Sequence, residues 1–339
     1  MLRRPPPISL EAAAPVPVEE EPKRRRRPGG RPVTALLLLV ALAFLAVAVL
    51  RVAGIDGNAA TVSALALTPY VTPGGLVLFL IAFGLRRRII AVSVLLLAVS
   101  MVILVLPRVF PDEAPPARGE HVRVLAANVY NGQADAASLV RLVRDNNIDL
   151  LTLPELTEDE VPVLDAAGLA ELLPYRVLVP GTGAGGSGIL SRFPVRQTVL
   201  VDRSELAQPS AVVDLPGRND IEVLAAHVQA AVYGDADVWR RELGQLPPAT
   251  PARVRVLAGD FNSTLDHAAF RAVLDTGYVD AAEQTGKGLI ATWSSWPYGP
   301  PVTIDHVLVD HRCAVPDFAV LHLPGSDHNA VFAELVLPS

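Results

Sequence analysis

The sequence predicts an α/β protein in which two β-sheets pack face to face with helices outside, preceded by three membrane-spanning helices. Three observations support this fold class. The hydrophobic content is 51%, which is high for a soluble chain. Three apolar segments occupy residues 33–106. From residue 121, short apolar runs alternate with a few helical patterns, which is typical of packed sheets flanked by helices.

The first 106 residues divide into a tail and three apolar segments. Residues 1–32 combine Pro, Glu and Arg without hydrophobic periodicity, and we expect a disordered cytoplasmic tail. Residues 33–50 and 89–106 are uncharged, and each would form about 27 Å of helix, enough to cross a bilayer core. The middle segment spans about 59–85 and contains residues that we expect to kink or interrupt it: Pro69, Pro73, Gly74 and Gly75. Helices buried in a soluble core are the alternative.

The distribution of basic residues predicts the orientation of these segments. Lys and Arg are concentrated in the tail and in Arg86-Arg87-Arg88, whereas the loop from Arg51 to Asn58 contains one Arg and one Asp. The positive-inside rule places the tail and the triple-Arg loop in the cytoplasm. Three crossings then place a linker (107–120) and a domain (121–339) outside. We therefore expect a multi-pass plasma-membrane protein that has the lipid bilayer as a partner.

The net charge of the domain counts against a nonspecific nuclease, and its cysteine content excludes two kinds of site. After residue 118 the chain carries 15 Lys and Arg against 28 Asp and Glu, a net charge near −13. Such a surface repels nucleic acid, because binding rests on neutralising phosphates. The single cysteine, Cys313, excludes an intramolecular disulfide and a cysteine-based zinc site.

Polar residues follow the predicted strands at several points. We expect strands at 121–128, 149–153, 176–180, 188–191, 211–215, 221–226, 253–258, 303–309 and 330–337, and helices at 136–146, 238–246 and 267–274. Asp305 lies inside an apolar strand, and because a buried carboxylate is costly without a partner, His328 is an attractive partner for it. Taken singly, such residues are more often turn residues than catalytic groups. The candidates are Asn128, Glu155, His227, Asp260, Asn262, Asp305, Asp327 and His328.

Together with Ser191-Arg192-Phe193-Pro194, this ordered set resembles the endonuclease/exonuclease/phosphatase superfamily, whose fold is the four-layer α/β sandwich of deoxyribonuclease I. The resemblance implies a divalent-metal-dependent phosphoesterase using Mg²⁺ or Mn²⁺. Pro154 and Asn329 depart from the family's usual Gln and Arg beside the motifs, without removing a catalytic group.

The resemblance also implies a role for each candidate. Glu155 would be the principal metal ligand, and Asn128 and Asp327 would help to shape the metal site. Asp260 would orient or activate the attacking water. The remaining residues would act on the phosphate: Asn262 and His227 would hold its oxygens, and Asp305 would orient His328, which stabilises the transition state or assists proton transfer.

The arrangement of apolar helices before this domain is similar to actinobacterial membrane proteins associated with resistance to vancomycin- and teicoplanin-type antibiotics. That similarity implies a phosphatase of a lipid-linked polyprenyl pyrophosphate, or of another small phosphorylated substrate. An extracellular nuclease is the enzymatic alternative, but the basic loops that it would need are absent from the sequence. A catalytically inactive, membrane-anchored binding module is the second alternative.

Three aromatic residues cluster in a Pro-containing loop between Asp260 and Asp305: Trp293, Trp296 and Tyr298. Packing in the core is the default for such a Trp. The loop could instead form a wall of the site or touch the membrane surface, which Trp and Tyr favour.

Overall fold

The computed structural model describes residues 30–217, 220–232, 235–294 and 299–338. Nearly all of the predicted tail therefore lies outside the described residues. The helices are α1 Arg31–Ala53, α2 Ala59–Ala66, α3 Thr68–Gly84, α4 Arg88–Val105, α5 Ala136–Asp145, α6 Glu160–Ala166, α7 Leu169–Leu172, α8 Ala236–Gln245, α9 Ala268–Leu274 and α10 Ala281–Gln284. The strands are β1 His121–Ala126, β2 Leu150–Pro154, β3 Tyr175–Val179, β4 Ser187–Ser191, β5 Val195–Thr198, β6 Ser210–Val213, β7 Ile221–His227, β8 Arg255–Asp260, β9 Tyr278–Asp280, β10 Asp305–Asp310, β11 Ala314–Leu321 and β12 Ala330–Val336.

The strands form two six-stranded sheets of similar topology. The first has the order β11-β12-β1-β2-β4-β3, and the second has the order β5-β6-β7-β8-β10-β9. Each sheet has one parallel pair at its centre, β1 with β2 and β7 with β8, and antiparallel neighbours around it. This internal duplication has no counterpart in the sequence, where no repeat is visible.

Alternating apolar side chains build the layers of the domain. One face of each sheet contributes to a central core, with Val124 and Val331 from the first sheet and Val256 from the second. The outer face of the first sheet packs against α5 to α7 through residues such as Leu139, and the outer face of the second packs against α8 and α9 through Trp239. The predicted sandwich of two sheets with helices outside is confirmed.

Two of the N-terminal helices are long and apolar enough to cross a membrane, Arg31–Ala53 and Arg88–Val109. The predicted middle span, at about 59–85, is not a single helix. It consists of α2 and α3, which are bent by 66° with respect to each other and pass the same test only as a pair. The structure thus corrects the expectation of three spanning helices to two, or three if the bent pair is one span.

The break between α2 and α3 follows from Pro69. A proline has no N–H, so Leu65 O loses the bond that residue 69 of a continuous helix would donate. The hydroxyl of Thr68 donates to this carbonyl instead, at 2.6 Å. Pro69 lies in the first turn of α3, where the missing N–H costs least, and Pro73 lies inside α3 without ending it.

The apolar helices pack directly against the sandwich through a buried ionic cluster. Asp266, which is completely buried, accepts a hydrogen bond from Arg51 Nε at 2.6 Å and two from Arg108, each at 2.8 Å. Arg51 is in the last turn of α1, and Arg108 follows α4. The ends of both helices therefore lie on the same side, against the domain.

Helix α2 also contacts the domain. His267 Nε2 lies 2.9 Å from the carbonyl oxygen of Val62, and the Val62 side chain belongs to the core cluster that contains Trp239 and Phe261. Just before α2, the Asp56 carboxylate accepts a hydrogen bond from the N–H of Ala269 at 2.9 Å. Helix α2 is thus an element of the domain as much as of the apolar region.

Candidate active site

The candidate site lies where the carboxyl ends of the central strands of both sheets meet. Asn128 and Glu155 follow β1 and β2. His227 and Asp260 end β7 and β8, and Asn262 lies two residues after the end of β8. The neighbouring strands run antiparallel, so they bring the residues at their beginnings to the same edge. Asp305 begins β10, and Asp327 and His328 precede β12. The topology therefore explains how eight residues scattered over 200 positions of the sequence meet.

Three of these residues form a row across the second sheet. His227 is the register partner of Asp260 across β7 and β8, and Asp260 is the register partner of Asp305 across β8 and β10. Gly259 makes this close approach possible. Its φ is +148°, and a Cβ there would lie 2.1 Å from the carbonyl oxygen of Ala226, which excludes any side chain.

A group of metal-ligand atoms lies beside this row. Atoms of Glu155, Asp260 and His328 all lie within 4.8 Å of one another. The amide nitrogen of Asn128 donates to Glu155 Oε1 at 3.1 Å and to Asp260 Oδ2 at 3.2 Å. The Asn128 side-chain oxygen accepts from the N–H of Tyr130. Asn128 therefore holds the two carboxylates together instead of presenting its oxygen to the site.

Asp327 supplies a further carboxylate. Its Oδ2 accepts a hydrogen bond from Trp293 Nε1 at 2.9 Å, which fixes the group. Its Oδ1 is buried without a hydrogen-bond partner among the described residues and lies 3.8 Å from His328 Nε2. A fixed oxygen with no partner beside other carboxylates fits a hard divalent cation, which prefers oxygen ligands.

His328 is paired with Asp305. Its Nδ1 lies 2.9 Å and 3.1 Å from the two oxygens of Asp305, so the contact expected from the sequence is present. Burial opposes the charge of this imidazole, but the adjacent Asp305 carboxylate outweighs it and raises the pKa of His328. Asp305 engages Nδ1 of His328, so only Nε2 of this imidazole faces the group of ligand atoms. Glu155, Asp260 and Asp327 instead offer carboxylate oxygens, the ligands that a hard divalent cation prefers.

The other charges of the site respond to burial in opposite ways. Burial raises the pKa of Asp260, and the Asp305 carboxylate opposite raises it further. Burial also raises the pKa of Glu155. In His227, burial lowers the pKa to about 3, with a further contribution from His328, so His227 is neutral at physiological pH. Its Nδ1 is buried and has no hydrogen-bond partner within the described ranges.

Backbone strain is concentrated at the site. Six non-glycine residues of the described chain have positive φ, and four of them line the site: Tyr130, Asn131, Glu155 and Asn262. Such conformations persist only where surrounding contacts hold them. The N–H of Asn131 donates to Glu155 Oε2, and the N–H of Asn262 donates to Asp260 Oδ1. The strained backbone thus helps to hold the carboxylates of Glu155 and Asp260 beside each other.

The structure brings all eight candidates together around a cavity of about 720 Å³. Those that line it are Glu155, His227, Asp260, Asn262, Asp327 and His328. Asn128 and Asp305 lie behind them as hydrogen-bond partners. One donor of the Asn262 amide is already used by Val228 O, at 2.9 Å. Of the aromatic loop, Trp293 lines the cavity, while Trp296 and Tyr298 lie outside the described residues.

Other residues of the site had no signal in the sequence. Tyr130 and Asn131 follow Asn128 in a turn, and only their left-handed backbone places them in the cavity wall. Val62, Ser63, Ala66 and Leu67 of the α2 region also line the cavity. They belong to a segment that the sequence assigns to the membrane.

Comparison with known proteins agrees with this geometry. Residues 125–328 match the model of the Endonuclease/Exonuclease/phosphatase family. An endonuclease/exonuclease/phosphatase from Beutenbergia cavernae has a TM-score of 0.51 at 19% identity, over 65% of this chain and 72% of that one. TDP2 of D. rerio, solved with a single-strand DNA product, has a TM-score of 0.52 at 17% identity, over 64% and 99% of the two chains. An AP endonuclease from Archaeoglobus fulgidus scores 0.50 at 14% identity, over 62% and 98%. No curated protein matches the chain.

The chain belongs to the endonuclease/exonuclease/phosphatase family, since the family model covers more than half of it. The predicted family and the predicted fold are confirmed. The structural neighbours share the fold at low identity, and their substrates do not transfer with it. At the level of the family, the protein is a metal-dependent phosphoric ester hydrolase, with a site in the described residues that fits a divalent metal.

Proposed function

We propose that this protein is a membrane-anchored phosphoesterase that uses Mg²⁺ (or Mn²⁺) and acts outside the cytoplasm on a lipid-linked pyrophosphate. Its preferred substrate would be a polyprenyl pyrophosphate, and other small phosphorylated compounds remain within this class. The similarity to the membrane proteins of vancomycin and teicoplanin resistance supports this substrate. The proposed location is the plasma membrane, with the N-terminus in the cytoplasm.

The proposal rests on one observation above all. The cavity that contains the candidate catalytic residues is formed jointly by the sandwich and by the α2 region of the apolar segment. A phosphoesterase acting on a soluble polymer has no need of an apolar helix at its site. An enzyme must bind a bilayer-anchored substrate at the membrane surface, where an apolar helix such as α2 would lie.

The metal would be held by Glu155 and Asp327, with Asp260 beside them and Asn128 orienting the carboxylates. When bound, a divalent cation neutralises charge on the phosphate oxygens. This donor set fits Mg²⁺, which prefers carboxylate oxygens and takes few of them from the protein.

The remaining residues would act on the phosphate directly. Asp260, whose pKa is raised by burial and by Asp305, would orient the attacking water and accept its proton. His328, kept protonated by Asp305, would donate a hydrogen bond to the phosphate oxygens as charge develops on them. Neutral His227 and the free donor of Asn262 would hold the other oxygens. Phosphoryl transfer requires mainly this kind of positioning.

The test compares two substrates with one preparation. Full-length protein in detergent, with Mg²⁺, is assayed for phosphate release from undecaprenyl pyrophosphate and for cleavage of plasmid DNA. We expect phosphate release, and its loss in Glu155→Ala and in His328→Ala. Cleavage of DNA alone would overturn the substrate and support the nuclease alternative. Activity on neither substrate nor on any other phosphoester would support an inactive binding module.

The orientation has its own test. Reporter fusions before residue 33, within Arg86–Arg88 and after residue 339 should report cytoplasm, cytoplasm and exterior. The ends of α1 and α4 lie on the domain side, whereas Arg86 and Arg87 lie between α3 and α4, and Arg88 begins α4. A cytoplasmic C-terminal reporter would contradict the proposed location and leave the phosphoesterase chemistry unaffected.

A further inference from the structure

The wall of the catalytic cavity that α2 provides is mostly apolar. Val62, Ser63 and Ala66 of α2 line the cavity together with Leu67, the C-cap of the helix, and three of these four side chains are apolar. Their spacing places them on one face of the helix. The cavity floor carries the carboxylates and imidazoles of the candidate site. The cavity thus has a polar end and an apolar side, and the apolar side comes from the segment adjoining the membrane helices.

This wall is a fixed element. Asn58 and Thr61 form a reciprocal capping box at the start of α2, which stabilises the helix. His267 lies in hydrogen-bond contact with Val62 O, and it follows the same loop that carries Asp260 and Asn262. The position of α2 is therefore coupled directly to the strand end that bears the candidate catalytic residues.

Apolar groups of the sandwich also line the cavity. They come from four separate loops, and one of these residues, Val232, is 47% exposed. A valine exposed in a cavity gains from an apolar ligand, because contact removes its surface from water. The residues are Ala184, Leu206, Ala230, Val232, Val302 and Ile304.

Size and charge limit what can occupy the cavity. A volume of about 720 Å³ lies in the range of pockets that enclose whole small molecules, far more than a pyrophosphate group requires. Among the described residues that line it, none is Lys or Arg. A nucleic acid strand would leave its backbone phosphates without basic partners there, whereas a hydrocarbon chain requires none.

We propose that the α2 face is the binding wall for the hydrocarbon chain of the substrate, and that Ala66 is a specificity-determining residue. This inference rests on the proposed function. The pyrophosphate lies at the end formed by Glu155 and His328, and the first isoprene units lie along α2 toward the apolar helices. The wall thereby selects lipid-linked pyrophosphates over water-soluble ones.

The test uses a matched pair of variants in the full-length protein. Ala66→Gln places a polar amide on the wall, while Ala60→Gln places the same side chain on an exposed position of the same helix that does not line the cavity. The measured quantity is kcat/KM for undecaprenyl pyrophosphate divided by kcat/KM for isopentenyl pyrophosphate, which has five carbons. Thermal unfolding of each variant verifies that it is folded.

We expect the wild type to prefer the long chain, Ala66→Gln to lower the ratio at least about fivefold, and Ala60→Gln to leave it unchanged. A ratio that Ala66→Gln does not change overturns the role of the wall. A wild type that hydrolyses both pyrophosphates equally well also overturns it, while the proposed phosphatase function survives. A wild type that hydrolyses neither overturns both.

Discussion

Substitution of Asp266 by Asn tests how firmly the apolar helices are joined to the catalytic domain. Asp266 is completely buried, and its two guanidinium partners, Arg51 and Arg108, are 7% and 3% exposed. Burial raises the pKa of Asp266, but the hydrogen bonds and charges of Arg108 and Arg51 outweigh it and keep that pKa below its ordinary value. The neutral Asn leaves two buried cations without a counter-charge.

The expected loss of stability follows from this geometry. Removing one partner of a buried ionic cluster costs about 3–5 kcal/mol, and Asn retains one hydrogen-bonding oxygen, so the lower figure applies. For a domain of this size, about 3 kcal/mol corresponds to a decrease in Tm of roughly 6–12 °C. Thermal unfolding of the full-length protein in detergent, followed by tryptophan fluorescence, measures it. Trp239 reports on this region because it belongs to the core cluster that Val62 joins.

The control is Asp275→Asn, which neutralises an exposed carboxylate at the end of α9. It should leave Tm unchanged. The difference in Tm between wild type and Asp266→Asn should also shrink as the pH falls toward 3.8 and below. The pKa of Asp266 is lowered in the folded state, so its carboxylate stabilises the fold only while it is ionised. If Asp266→Asn and Asp275→Asn unfold at the same temperature near neutral pH, the cluster does not hold the helices to the domain.

Three further predictions concern the sandwich and its site. Burial raises the pKa of Glu160 from 4.5 to about 7, so the ionisation of Glu160 destabilises the fold as pH rises between these values. The free energy of unfolding of Glu160→Gln should therefore rise by about 1–2 kcal/mol relative to wild type between pH 5 and pH 8. A difference that does not grow with pH refutes this. Gly259→Ala should lower the free energy of unfolding, measured in urea, by about 2–4 kcal/mol. The control is Gly244→Ala, which lies in open space on α8 and should be neutral or stabilising. Equal effects would contradict the close approach of Gly259 to the carbonyl oxygen of Ala226. Asp305→Asn should lower kcat about 100-fold with little change in KM. Because the substitution lowers the pKa of His328, the remaining activity should decline at lower pH than in wild type. An unshifted pH profile would exclude the role of Asp305 in positioning His328.

The central strands were predictable because their sequences are continuous apolar runs that end in polar residues. The strand β11 was missed, since Pro316 and Asp317 interrupt its apolar pattern. Proline is tolerated there because β11 is an edge strand with a register shift between Ala314 and Asp317. The predicted helices over 136–146, 238–246 and 267–274 correspond to α5, α8 and α9.

The composition of the site was predictable to a similar degree, but its surroundings were not. The eight candidates stood out because each follows, precedes or interrupts an apolar strand. The contact between Val62 and His267 was not predictable, because 205 positions separate the two residues and each has a plausible local role. From the sequence, Arg51 was assigned to a loop and used only to predict the membrane orientation. In the structure it is buried against Asp266. Such contacts depend on tertiary packing alone.

His227, Asp260 and Asp305 lie side by side only when β7, β8 and β10 pair in the native register, so catalytic activity depends on that register. Side chains alternate between the faces of a sheet, so a slip of β10 by one residue would replace Asp305 with His306. His306 is committed to the helix-covered face, where it is buried against Asp280 and Ser263 O. A chain with the slipped pairing would keep its strands yet lose its site. Specific activity per folded molecule should therefore reveal mispaired protein that circular dichroism would count as native.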